Sequence, residues 1–206
     1  MMHRATAAGL AALAAIAALA TAGLPRAVAA VYAIRPGEPN LIRFESKAPV
    51  ESFAGTTRQV QGTLEFNPES LADTARMVIE VNLASLDTGI NLRNRHMREN
   101  HLETDTYPSA VFRIRRLAEP SAPALLPGST VSVTAVGTFE LHGVAREIEV
   151  PAQVAWQTDD PPGALRISAK FPVRLSDYNI SRPQFLVMRL DEVQRVTVEL
   201  LALPQP

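Results

Sequence analysis

The residues that could do polar chemistry crowd into one stretch, Ser85 to Pro108, SLDTGINLRNRHMRENHLETDTYP. Arg93, Arg95 and Arg98 share a span of nine residues with His96 and His101. A guanidinium is a planar fork of donors that matches a phosphate or carboxylate, so one reading of the arginines is a contact to an anionic head group. The other is a solvated helix face offset by Glu99 and Glu103. His96 and His101 are five apart, so on a helix they diverge by more than a quarter turn and lack the i, i+4 geometry of a zinc pair. The remaining histidine after residue 3, His142, stands alone. No Asp or Cys falls at ligand spacing, so neither a metal nor any other cofactor is expected.

Other catalytic patterns are missing. The serines sit in no Gly-x-Ser-x-Gly elbow, no Gly-rich phosphate loop occurs, and no His–acid partnership stands out. Asp159-Asp160 and Asp191-Glu192 read as solvated turn or strand-edge acids. The expectation is a protein that is not an enzyme; a hydrolase or lyase acting on a small apolar substrate is kept as an alternative. The chain has no cysteine and only 5% aromatic residues, with 20 Lys and Arg against 21 Asp and Glu. That balance gives no basic footprint for nucleic acid, and the scarcity of aromatics argues against base stacking.

The elements around the stretch read as β. Val60, Leu64 and Phe66 alternate with polar residues, as do Met77, Ile79, Val81 and Leu83. Val131 to Leu141, Val144 to Trp156, Leu165 to Leu175 and Val193 to Leu203 behave alike. Successive strand side chains point to opposite faces, so each run has a wet and a dry side. Asn67-Pro68, Pro120 to Gly128, His142-Gly143 and Asp159 to Gly163 supply turns and loops, and His142-Gly143 reads as a hairpin. Eight to ten strands without a βαβ rhythm fit a sandwich or an up-and-down barrel. Into this a single helix is inserted, at about residues 89–102, with Asp87 or Thr88 as its cap. Ile90, Met97 and His101 share one of its faces, with Leu92 beside them, and Pro108 bounds its exit.

The N-terminus reads as a processing segment. Met1 to Arg4 is basic, Ala7 to Ala20 is apolar, and Ala27-Val28-Ala29 has the small-x-small pattern of a signal-peptide cleavage site. Residues 1–29 are therefore expected to be removed, leaving one domain over residues 30–206 of a periplasmic or secreted bacterial protein. Without Arg4 and Arg26 its net charge becomes −3. No later run approaches the ~20 apolar residues of a membrane span.

Several motifs occur together in order. Leu41 to Ser46, then Phe53-Ala54-Gly55 and Val60 to Phe66, resembles the opening hairpin of the YceI-like family. Ser85-Leu86-Asp87-Thr88 resembles its Ser-x-acid-Thr turn, Arg93 to Arg98 its Arg-x-x-His-Met-Arg helix, and Tyr107-Pro108 through Phe112 its next strand. Gly137 to Arg146 resembles its Gly-x-Phe-x-Leu-x-Gly-Val-x-Arg hairpin. The resemblance implies an all-β fold, a lipocalin-like antiparallel β-barrel of about eight strands. It also implies non-covalent carriage or sequestration of a long-chain amphiphile: an isoprenoid, an isoprenoid quinone or a fatty-acid derivative. On that reading Phe44, Leu64, Phe66, Ile79, Val81, Phe112, Phe139, Trp156 and Phe171 line the cavity, with Arg93, His96 and Arg98 as polar groups at its mouth. Alternation alone does not distinguish an open cavity from a filled core. A barrel with a filled core, acting as a non-enzymatic envelope or stress accessory, is the alternative, and a homodimer is left open.

Overall fold

The computed structural model describes residues 29–47, 52–72, 75–182, 184–185 and 188–206. The expected signal segment lies outside them as far as residue 28. The strands are β1 (Ala30–Ile34), β2 (Leu41–Lys47), β3 (Ser52–Thr57), β4 (Val60–Phe66), β5 (Arg76–Asn82), β6 (Ser109–Ala118), β7 (Thr130–Leu141), β8 (Val144–Trp156), β9 (Leu165–Arg174), β10 (Gln184–Phe185), β11 (Met188–Arg189) and β12 (Val193–Pro204). All but β10 and β11, a small separate pair, join one antiparallel sheet in the order β1-β4-β5-β6-β7-β8-β9-β12-β2-β3. The end of β12 also pairs with β1, Ala202 opposite Ile34, which closes the sheet into an eight-stranded barrel. Closure leaves no open edge along the ring.

Hairpin β2–β3 prolongs the ring on one side. β12 pairs first with β2, Arg195 opposite Glu45, and later with β1, so β1 and β2 lie end to end as one broken stave. β3 and β4 form the next stave, bent at Arg58 and Gln59. Thr56 of β3 exchanges both backbone hydrogen bonds with Asp87 beyond β5, each at 2.9 Å. Buried Asn40 fills the break between β1 and β2: its Nδ2 donates to the Arg35 carbonyl at 2.7 Å, and its Oδ1 accepts from the Leu201 N–H of β12 at 2.8 Å.

The alternating runs recognised in the sequence become β4, β5, β7, β8, β9 and β12. Leu141 and Val144 face each other across His142 and Gly143, both at positive φ (51° and 73°), the backbone of a two-residue hairpin turn whose twist suits its strands. Gly143 also lies under the Tyr107 ring, where a Cβ would collide. β1 went unrecognised in the sequence; its five residues, AVYAI, abut the expected cleavage site.

The two ends of the barrel differ. At the end where β4 and β6 finish, the loops that follow them lock together: the Leu71 N–H donates to the Pro123 carbonyl at 2.9 Å, and the Leu125 N–H to the Pro68 carbonyl at 2.7 Å. Leu71 and Leu125 are buried in the main apolar cluster with Tyr32, Leu64 and Phe66, and plug that end. A second cluster, including Leu83, Leu86, Leu141, Leu175, Tyr178 and Ile180, lies at the opposite end, where Met97 and Leu102 of the inserted helical segment pack on it.

Candidate functional site: an apolar cavity under a helical strap

The polar stretch forms a strap across the second end. Helix α1 (Asn91–His96) continues into a wider π turn over Met97–His101, closed by a Leu102 N–H to Met97 carbonyl bond of 2.8 Å. The span agrees with the helix expected at about 89–102. The cap does not. Ile90 holds the N-cap position without a side-chain bond, and the capping chemistry runs backwards from the helix. Asn94, buried, donates from Nδ2 to Asp87 Oδ1 at 2.7 Å, and its Oδ1 accepts from the Thr88 N–H (2.8 Å) and Oγ1 (2.7 Å). Asp87 Oδ1 also accepts the Gly89 N–H at 2.8 Å. The Gly89 and Asn94 donors hold the Asp87 carboxyl below its usual range. At its far end the strap is tied across the barrel by His101, whose Nδ1 lies 3.1 Å from the Ser181 carbonyl. Burial lowers the pKa of His101 and nearby His96 lowers it further, against the opposing pull of the Ser181 carbonyl.

Beneath the strap is a cavity of about 710 Å³, inside the ~300–1,000 Å³ range of small-molecule sites. Inward rows of the strands form its wall, including Phe44, Leu64, Phe66, Ile79, Val81, Phe112, Phe139 and Phe171. Phe139 anchors the aromatic part, its ring edge-on to Phe112 (6.3 Å), Phe171 (6.0 Å) and Tyr178 (5.5 Å). Trp156 belongs to the same row of β8 as Val150, Ala152 and Val154, but it packs against the core beside the closing loops and does not line the cavity. Its carbonyl accepts the Gly128 N–H and its N–H donates to the Ser129 carbonyl, which fixes it at the level of the plug.

Ile90 and Leu92 are half or more exposed, at 50% and 59%, yet also line the cavity, so they mark its opening. Arg93 and His96 are there too. The Arg93 guanidinium donates to Thr88 Oγ1 (2.9 Å) and to the Thr88 carbonyl (2.8 Å), and stacks 4.3 Å over the Phe53 ring. Arg98 lies elsewhere. Its Nη2 donates to the Leu86 carbonyl at 3.1 Å, which ties the strap to the preceding loop, and it does not line the cavity. Arg95 is exposed on the outer side.

The sequence reading did not assign Phe53, Leu102, Ser46 or Gln194 to the cavity, which all four line. The signal for the last two was available: Ser46 follows Ile42 and Phe44 in the inward row of β2, and Gln194 precedes Val196 and Val198 in that of β12.

A closed antiparallel barrel with an apolar cavity, plugged at one end and strapped by a helix at the other, defines a lipocalin-like architecture. The chain belongs to the YceI-like family: the family described as YceI-like domain matches residues 32–202. Protein YceI of Escherichia coli O6:H1 is 30% identical over 159 residues, covering 75% of this chain and 78% of that protein. Protein YceI of Salmonella newport is 28% identical over 160 residues, with the same coverage. Among solved structures, BcnA of Burkholderia cenocepacia superposes with a TM-score of 0.64 at 18% identity, covering 79% of this chain and 95% of that one. A polyisoprenoid binding domain from Saccharophagus degradans superposes with a TM-score of 0.62 at 18% identity, covering 86% and 99%. At that identity the two structures speak to the fold.

Proposed function

We propose that this protein carries or sequesters a long-chain amphiphile, an isoprenoid, isoprenoid quinone or fatty-acid derivative, with its chain inside the barrel. The observation that carries the reading is the cavity of about 710 Å³, walled by inward Phe, Leu, Ile and Val side chains and opening at Ile90 and Leu92. Apolar surface removed from water contributes roughly 25 cal/mol per Å², and this wall offers it along the length of the barrel. The solved domain from Saccharophagus degradans, described as polyisoprenoid binding, shares the fold and supports the same class of ligand. Phe44, Phe112, Phe139 and Phe171 hold the chain on this reading. Arg93, fixed by Thr88 and Phe53, and His96 meet the polar end at the mouth, and Arg98 holds the strap. Binding is non-covalent and involves no catalysis. Export through removal of residues 1–29 places the carrier in the periplasm or outside the cell.

Titration with a fluorescent long-chain probe tests this. Ala152 and Ala169 face each other across β8 and β9 and both line the cavity. Saturable one-to-one binding by the natural sequence, lost in Ala152→Phe with the fold retained by circular dichroism, is the expected result. Unchanged binding in that variant would place the probe elsewhere and overturn the reading.

A further inference from the structure

Among the described residues, five polar ones interrupt the cavity lining. Arg93, His96 and His101 come from the strap, whereas Ser46 and Gln194 come from the strands. The last two stand just beyond the end of the ladder between β2 and β12. Glu45 of β2 lies opposite Arg195 of β12. One step further along that antiparallel register would set Ser46 opposite Gln194, and both side chains line the cavity. Gln194 is 8% exposed, and its Nε2 donates to the Asp191 carbonyl at 2.7 Å, so the other end of the amide, an acceptor oxygen, is turned away from that bond. Ser46 is 1% exposed, and its Oγ has no hydrogen-bond partner among the described residues. A buried hydroxyl without a partner weakens a folded protein, and an alanine in its place would leave nothing unsatisfied. Such a group in a ligand-sized cavity has a use when the ligand supplies the partner.

We propose that Ser46 and Gln194 form a hydrogen-bonding notch that reads one neutral oxygen-bearing group on the bound amphiphile. The Ser46 hydroxyl donates to a ligand carbonyl or hydroxyl oxygen, and the Gln194 amide oxygen accepts from a ligand O–H or N–H. Both side chains are uncharged, so the class the notch selects is an alcohol, ketone or amide, in preference to a bare hydrocarbon. The notch rests on the carrier reading and narrows it.

The test displaces a fluorescent apolar probe from the full protein with matched sixteen-carbon competitors: hexadecan-1-ol, hexadecan-2-one, hexadecane and hexadecyl phosphate. The natural sequence is expected to favour the alcohol and the ketone over hexadecane, while hexadecyl phosphate reports on Arg93 and His96 and is expected to bind Ser46→Ala as it binds the natural sequence. Ser46→Ala is expected to weaken the ketone about tenfold, leave hexadecane unchanged and raise the melting temperature of the unliganded protein. Gln194→Leu is expected to weaken the alcohol more than the ketone. The notch is overturned if Ser46→Ala leaves the ketone-to-hexadecane ratio unchanged. Failure of every competitor and of the probe itself would instead overturn the carrier reading, and the notch with it.

Discussion

Single residues decide whether the barrel closes and how it responds to acid. Asn40 replaces a piece of backbone ladder where β1 gives way to β2, donating to the Arg35 carbonyl and accepting from the Leu201 N–H while only 2% exposed. Asn40→Ala leaves both backbone groups without that partner and should cost about 2 kcal/mol, read as a lowered urea midpoint with an unchanged slope. A cost within experimental error would mean that water replaces the amide. His101 governs an acid response. Burial lowers its pKa from the ordinary 6.5, so in the window just below 6.5 the unfolded chain holds the proton that the folded chain refuses. Stability is therefore full above 6.5 and is lost as pH falls from there toward the lowered folded value. The melting temperature of the natural sequence should drop more steeply across that window than that of His101→Asn, and parallel profiles would contradict the assignment.

At the scale of elements, the strap is the part whose behaviour packing alone does not set. A helix of six residues followed by a π turn is too short to persist on its own propensity. It is held by Asn94 to Asp87 and Thr88, by Arg98 to the Leu86 carbonyl, and by His101 to Ser181. Asn94→Ala should lower stability by about 2 kcal/mol. It should also speed amide hydrogen exchange selectively over residues 88–101 and raise the release rate of a bound probe. Uniform acceleration across the barrel would show that the strap and barrel open as one unit. Because Asp87 titrates below its usual range, its part in the tie is present at neutral pH and is lost only as pH falls through that lowered value.

Across the whole molecule, a cavity of fixed volume makes affinity depend on chain length. Each buried methylene contributes about 0.8 kcal/mol, roughly fourfold in Kd, until the plug formed by Leu71 and Leu125 is reached. A homologous series of alcohols should therefore tighten steadily and then level off or weaken; affinity rising without limit would point to micelle-like association at the surface. Much of this architecture was legible in the chain. Period-2 runs such as Val144 to Trp156 define strands and inward rows because pleating leaves each face one environment. Two things escaped that logic. Alternation gives a face but no depth: Trp156 shares the row of Ala152 and Val154 yet lies level with the plug. A regular helical repeat also does not say which basic residue faces inward where the helix meets its loop, so Arg93 reaches the mouth while Arg98 turns back to Leu86. The open cavity itself is a property of the closed ring, since the same rows of Phe and Val would equally suit a filled core.

The most direct test of the carrier reading is mass spectrometry of the organic extract from protein purified out of its native envelope, compared with a heat-denatured control. The account predicts a stoichiometric long-chain species bearing a neutral oxygen group, released only from the folded protein. A folded protein whose extract carries no long-chain species at all would contradict it and favour a barrel that serves the envelope without cargo, whereas a charged head group on the species would count against the notch alone.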